Sequence, residues 1–438
     1  MQKLFRRKIY SELSKWKSDD ADGCALLIEG ARRIGKSTIV EQFAKENYQS
    51  YILVDFSKAE TKPLIEFINK GFNSLDFFFL QLQTRFDTRL YAKNSLIIFD
   101  EVQFCPSARQ MIKELVADGR YHYVETGSLI SIKKHINDIL IPSEESSIHM
   151  YPMASEEFLR YCFDTRTPLG QSMHRQIMEL YHTYMLVGGM PQAVSAFVET
   201  NNFKMVEKQK RTILELYQND SGKISERMSE KCSGIFSKIP SLLSKHDKSF
   251  KPSAIRKGGR TRDYLDAIYS LERSKMVLLC ERNSDVQNEP ELTLDEENFK
   301  LYLSDTGLLF TMVFQNNVGD PDEIYAAILD DKMNLNEGMF FENMVAQTLS
   351  STGHKLYFSK FRTKESSNLQ EVDFLIPRLD RLIPVEVKSA RSGAHASLDR
   401  FMEKHSKKVE KAYVIHSKDL RVDGKIVYIP IYMTGFVE

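Results

Sequence analysis

The sequence contains no apolar stretch approaching the roughly 20 residues needed to cross a bilayer. Its opening, MQKLFRRKIYSELSKW, is charged and has neither an apolar centre nor a small-residue cleavage site, so it does not read as a secretion signal. Cysteine is scarce: Cys24, Cys105, Cys162, Cys232 and Cys280 are scattered over 438 residues with no CxxC spacing. An odd number leaves one thiol over in any monomeric disulfide framework, and structural zinc needs paired spacings that are missing here. The expectation is therefore a cytoplasmic protein with reduced, buried thiols and no membrane partner. Net charge is also absent, with 60 basic residues against 60 acidic ones. That balance excludes a polycation that coats nucleic acid, although it leaves room for a local basic patch. There is no internal repeat and no long low-complexity tract. Hydrophobic residues at 42% and charged residues at 27% are the balance of a folded chain, which excludes disorder as the main state. At roughly 100–200 residues per domain, the length suggests about three domains.

The first third alternates strand-like and helix-like segments. CALLIEG (24–30), YILVDFS (51–57), SLIIFDEV (95–102) and HYVETGS (122–128) are apolar runs, and KSTIVEQFAKEN (36–47) is helical between the first two. Such alternation predicts a parallel, doubly wound sheet. From 148 the pattern turns mostly helical, punctuated by Gly188, Gly189 and Pro191. Residues 229–314 read as helices followed by a hairpin of VLLCER (277–282) and FKLYLSD (299–305). After a turn-rich stretch at 316–323 come a helix (336–351) and four strand-like runs, KLYFSKF (355–361), EVDFLIP (371–377), LIPVEVK (382–388) and KAYVIHS (411–417), with a helix at 398–408 before the last.

Between the first strand and its helix stands Gly30-Ala31-Arg32-Arg33-Ile34-Gly35-Lys36-Ser37, which fits GxxxxGK[ST] and is followed by Thr38. The glycines let backbone N–H groups wrap an anion, and the following helix offers its N-terminus to it. Lys36 then reaches the β- and γ-phosphates of a nucleotide, and the Ser37 hydroxyl coordinates Mg²⁺. Asp100-Glu101 ends a buried strand at the same edge of the sheet, with Asp100 in the Mg²⁺ shell and Glu101 placed to activate the attacking water. Thr126 and Ser128 close the next strand there, where a polar side chain can sense the γ-phosphate. ATP and Mg²⁺ are thus the expected cofactors.

GARRIGKST, LIIFDEVQFCPSARQMIKEL and the strand–TGS sequence together resemble the AAA-type ATPases of the bacterial and archaeal family that carries a DUF4143 region, a family similar to STAND-like P-loop ATPases. MYPMASEEFL, YMLVGGMPQAV and FKLYLSDTGLL resemble that family's PLSFEEF-like, YLxxGGxP and KxYxxDxG segments. The stretch SLISIKKHINDI departs from the family's small-and-Arg sequence after TGS, so no arginine finger is assigned. The resemblance implies an α/β multidomain chain: a P-loop ATPase core over 1–155, a helical lid over 156–228, a winged helix-turn-helix over 229–318, and a restriction-endonuclease-like α/β domain over 325–438.

In the middle segment, Tyr264, Leu265, Ile268, Leu271 and Met276 share one helical face. Residues 244–262 hold Lys245, Lys248, Lys251, Arg256, Lys257, Arg260 and Arg262 against Asp247 alone, a local excess suited to phosphate contact with DNA or RNA. Near the C-terminus, Glu386 and Lys388 lie two apart on a strand and so share a face, with Asp373 on the neighbouring strand and Glu342 on the preceding helix. Three carboxylates and a lysine can form an Mg²⁺ site with a group to orient water. The pattern resembles the PD-(D/E)xK nuclease superfamily. The resemblance implies Glu342, Asp373 and Glu386 as metal ligands and Asp373, Glu386 and Lys388 as catalytic, although Val372 stands where the motif has proline. Pro384 suggests that its strand begins at an edge or bulge. Arg391, Arg400, Lys404, Lys407, Lys408 and Lys411 add a basic surface nearby.

The leading expectation is an ATPase switch whose nucleotide state repositions a nucleic-acid-binding, nuclease-like half. The alternative is a nucleotide-gated interaction protein, with a protein partner or a second copy of itself, in which the nuclease-like fold is a scaffold. A small-molecule kinase would need an acceptor pocket that the sequence does not display.

Overall fold

The computed structural model describes residues 7–72, 74–127, 144–153, 174–221, 226–284, 294–315, 320–329, 336–363, 366–378, 381–389, 395–418 and 420–437. Ser128, the SLISIKKHINDI stretch, Cys162 and Arg391 lie outside them. The chain divides into two compact units, with the main break between Tyr151 and Pro152.

The first unit is built on strands β1 (Ala25–Gly30), β2 (Ser50–Asp55), β3 (Ser95–Asp100), β4 (His122–Gly127) and β5 (Glu145–Met150). They lie in the order β2-β3-β4-β1-β5, and every neighbouring pair is parallel. The central strands β1 and β3 read as near-continuous apolar runs, and β4, although it carries His122, Glu125 and Thr126, is buried along its whole length. Ile52, Val54, Ile97, Phe99 and Tyr123 pack on one face with Leu64, Phe78, Leu82 and Leu115 from the helices of that side. The helix Lys36–Asn47 begins and ends where the sequence predicts, and buries Ile39, Val40, Phe43 and Ala44 at helical spacing. Strand β5 was not expected, since 148–163 read as the start of a helical stretch. It is an edge strand paired only with β1, so ESSIHM forms it with much less apolar content than a central strand needs.

The second unit contains the helices His174–Val187 and Pro191–Thr200, the helix Phe203–Ser221 as far as Asn219, and an eight-stranded mixed sheet. Its strands are β6 (Val277–Asn283), β7 (Leu294–Leu303), β8 (Leu356–Thr363), β9 (Ser366–Arg378), β10 (Arg381–Val387), β11 (Ala412–His416), β12 (Arg421–Asp423) and β13 (Ile426–Pro430). Their order is β12-β13-β11-β10-β9-β8-β6-β7. One expectation is corrected here. The hairpin β6–β7, read as the wing of a separate module ending at 318, belongs to this sheet, because β6 pairs in parallel with β8. The strand carrying Pro384 lies inside the sheet, but its first residues are open on one side as the proline suggests, because β10 pairs with β11 only from Val385 onward.

Three of the motif segments meet within this unit. Gly188, at φ +81°, ends the helix His174–Val187 and lies against Gly307. The buried Asp305 caps the helix Thr306–Phe314 by accepting from Leu308 N–H at 2.9 Å and also accepts from Gly189 N–H at 2.6 Å. Met153 N–H donates to the Gly189 carbonyl at 2.7 Å. A Cβ at Gly189 would sit 2.1 Å from the Met153 carbonyl oxygen, which only glycine avoids. Gly189→Ala is therefore expected to cost about 1–3 kcal/mol of stability by overpacking against backbone. Urea unfolding followed by far-ultraviolet circular dichroism measures this, since the single tryptophan, Trp16, reports on the first unit. An unchanged midpoint would show that the backbone at this point has room to spare.

Candidate functional site

In the first unit, parallel pairing brings the C-terminal ends of β1, β3 and β4 to one edge, and β4 lies between the other two. The loop from Gly30 to Gly35 leaves β1 there. Gly30 is tightly enclosed: a Cβ would meet the Met150 carbonyl oxygen at 2.4 Å. Gly35 adopts φ +90°, a left-handed conformation that starts the helix Lys36–Asn47 without strain. Ala31, Ile34 and Lys36 are buried, Arg32 and Ser37 half-buried, and Arg33 and Thr38 exposed. The Lys36 ammonium donates to the carbonyls of Gly30 and Ala31, both at 3.0 Å, and so bridges the loop from inside. Burial lowers its pKa, against the opposing pull of Glu101 and Asp100.

The Asp100 Oδ1 atom accepts from the Ser37 hydroxyl at 2.8 Å and from the Thr126 hydroxyl. Three residues from three segments thus share one point at the sheet edge. Two hydroxyls and a carboxylate form the hard-oxygen set that suits Mg²⁺ beside phosphate, so the residues present fit that ion. Glu101 steps off β3 in a left-handed conformation, φ 53° and ψ 47°, and its carboxylate accepts from the Gln103 amide. Sequence reasoning missed Arg7. Its guanidinium donates to the Ile34 carbonyl in the loop at 2.8 Å and to the Tyr151 carbonyl at 2.7 Å. Nothing in the pattern MQKLFRRKI marks that role, since the partners lie 27 and 144 residues away.

The second unit holds a cleft of about 910 Å³ lined by Glu342, Asp373, Glu386 and Lys388, among others. All four residues singled out from the sequence converge there. Lys388 pairs with Glu386 Oε1 at 2.8 Å, and Asp373 Oδ2 accepts from Val387 N–H at 2.8 Å. The Glu386 Oε2 atom is buried with no partner among the described residues. Burial, reinforced by Glu386 and Glu342, raises the Asp373 carboxyl well above its ordinary range. Burial raises that of Glu386 too, with Lys388 opposing.

Both oxygens of Glu342, expected as a metal ligand, are engaged by neighbouring side chains. Its Oε2 is ion-paired with Lys248, and its Oε1 accepts from Lys300 at 3.2 Å and from the Tyr302 hydroxyl. Burial alone would raise its carboxyl, but the two ammoniums outweigh burial and hold it down at about 2. Among the described residues, no group of three or more His, Cys, Asp or Glu side chains is arranged to hold a metal ion.

The basic segment is also reapportioned. Lys248 points into the acidic cluster and Lys251 pairs with Asp247 at 2.8 Å. Lys245, Arg256, Lys257, Arg260 and Arg262 are exposed, as are Arg400, Lys404, Lys407 and Lys411. Two short 3₁₀ turns, Pro252–Ala254 and Thr261–Asp263, carry much of the segment ahead of the helix Leu265–Arg273. Tyr264, Ile268, Leu271 and Met276 are buried as their spacing predicts, and Leu265 is half-buried.

The parallel sheet of the first unit, with its glycine loop after β1 and acid after β3, has the P-loop NTPase fold. Comparison with known families agrees: residues 23–159 match the AAA domain family, 178–318 a domain of unknown function (DUF8612), and 337–433 the domain of unknown function DUF4143. The chain thus carries an AAA domain and a DUF4143 domain. No curated protein matches the sequence. Among solved structures it is similar to the Walker-type ATPase PABY2304 of Pyrococcus abyssi, at 14% identity over 71% of this chain and 96% of that one, with a TM-score of 0.43. It is also similar to the Aeropyrum pernix ORC1 protein in complex with DNA, at 12% identity over 72% and 94%, with a TM-score of 0.27. Among the described residues, no helix is long and apolar enough to cross a membrane.

Proposed function

We propose that this protein is an ATP-hydrolysing switch whose second unit engages nucleic acid. The observation that carries the first part is the meeting of Ser37 and Thr126 on Asp100 Oδ1, beside a loop bridged by Lys36. Ser37 and Asp100 would hold Mg²⁺, which neutralises phosphate charge when bound. In this reading the loop amides from Ala31 to Thr38 cradle the phosphates, and the Lys36 ammonium exchanges its two carbonyl partners for phosphate oxygens. Glu101 accepts a proton from the attacking water, and Thr126 orients Asp100.

Support for nucleic-acid binding comes from the exposed Arg256, Lys257, Arg260 and Arg262 on a locally basic stretch. Charge reversal of these four is expected to weaken binding to duplex DNA and to flatten its salt dependence. The log–log slope should fall by close to one unit for each phosphate that is no longer neutralised. An unchanged slope would move nucleic-acid binding away from this segment and favour a protein partner. The convergence of Glu342, Asp373, Glu386 and Lys388 supports a nuclease-like reading of the cleft. The second reading, a nucleotide-gated interaction protein with a non-cutting scaffold, is favoured by one observation: two lysines already neutralise Glu342.

A further inference from the structure

The strap from Asp247 to Phe250 is fastened along its length to the sheet of its own unit. Lys360 Nζ donates to Asp247 Oδ1 and to the Ser249 hydroxyl, both at 2.7 Å. Ser249 N–H donates to Asp247 Oδ1 at 3.1 Å, closing a tight turn around Lys248. Phe250 N–H donates to the Phe299 carbonyl at 2.8 Å, and the two rings stack with centroids 5.1 Å apart. With both flanks held, the Lys248 side chain, 19% exposed, is aimed at Glu342, which is 2% exposed.

A divalent ion needs carboxylate oxygens free to approach at roughly 2.0–2.6 Å. Both Glu342 oxygens are engaged by ammonium or phenol groups, Asp373 Oδ2 by a backbone N–H and Glu386 Oε1 by Lys388, which leaves Glu386 Oε2 buried without a partner among the described residues but no Glu342 oxygen to complete a set with it. Lys300, fully buried, is shared between Glu342 and Glu371, and Glu371 is also paired with Lys360 at 3.5 Å, so this lysine is locked inside the cluster. Lys248 differs in lining the cleft: it is ion-paired with Glu342, feels the Asp373 charge as well, and is partly exposed. We infer that Lys248 is the cation that closes this cluster on the side of the cleft, in the place of a divalent metal, and that the cleft admits Mg²⁺ or Mn²⁺ only when the Lys248–Glu342 pair is released. The nuclease-like cluster is a site closed by its own chain.

This inference rests on the nuclease-like reading of the four residues and deepens it. Its test is Mn²⁺ stoichiometry, measured by isothermal titration on the full chain without nucleotide. The variants are Lys248→Met, Asp373→Asn and the double substitution, beside the wild type. Any Mn²⁺ held by Ser37 and Asp100 is common to all four and cancels. The wild type and D373N should bind the same number of Mn²⁺ ions. K248M should gain one equivalent, which the double variant loses again. Lys248→Arg, which keeps a cation in place, should match the wild type. Loss of one equivalent in D373N alone would overturn the inference, because metal would then displace the lysine unaided. So would a folded K248M that binds no additional metal. If K248M does not fold, the comparison of wild type with D373N still decides whether metal is excluded. Mn²⁺-dependent nicking of plasmid DNA by K248M tests the underlying reading separately: metal gained without cleavage would sink nuclease chemistry and leave the lysine closure standing.

Discussion

An alanine at position 36 is expected to lower ATP turnover about 10³-fold or more, which corresponds to roughly 4 kcal/mol of lost transition-state stabilisation. Lys36 is buried and sits inside the loop with its ammonium on the Gly30 and Ala31 carbonyls. Burial makes that charge costly to keep, and Asp100 and Glu101 offset part of the cost. A cation maintained there is worth most when charge develops on the transferring phosphoryl group, where no solvent competes with it. Phosphate release at saturating ATP measures the effect, and a denaturation curve checks that the loop survives the loss of its bridge. Turnover at the wild-type level in a folded K36A would remove the assignment of this loop to phosphate.

Glu101→Gln should separate binding from hydrolysis. The amide keeps the shape of the side chain at its left-handed position beyond β3 and can still meet Gln103. It cannot take a proton from water, so turnover should fall by about 10²–10⁴-fold while nucleotide affinity stays within a few-fold. The comparison that decides is nucleotide titration beside single-turnover hydrolysis on the same preparation. If affinity is lost and the fold is intact, Glu101 is a structural residue of the β3 turn and the base lies elsewhere.

The two sites differ in how far the sequence reveals them. The phosphate loop is a local object: its glycines, lysine and serine are consecutive, and the strand and helix that flank it follow from short-range pattern. Asp100 and Thr126 could be placed from sequence because a parallel sheet sends all its strand ends to one edge. The convergence of Glu342, Asp373, Glu386 and Lys388 was likewise foreseeable from strand parity and a hairpin. Their electrostatics were not. Lys248 reads as one more positive charge in a basic stretch until folding places it against a carboxylate 94 residues away. Charge counts along a segment carry no information about partners across the fold. Arg7 was invisible for the same reason, and β5 because an edge strand does not need the apolar run that marks a central one.

The continuity of the eight-stranded sheet has a consequence for how this chain can be cut. Matches to DUF8612 and DUF4143 end and begin at 318 and 337, a gap that invites division into exchangeable modules. The hydrogen-bond ladder does not respect it, because β6 and β7, from before the gap, complete the sheet on the far side of β8. A fragment starting in the gap would forfeit Lys300 and Tyr302 from beneath Glu342 and bare the backbone of β8 as an open edge. Such an edge is a template for pairing with a second molecule. The unit of inheritance suggested by family boundaries and the unit of cooperative folding are therefore different lengths of the same polypeptide.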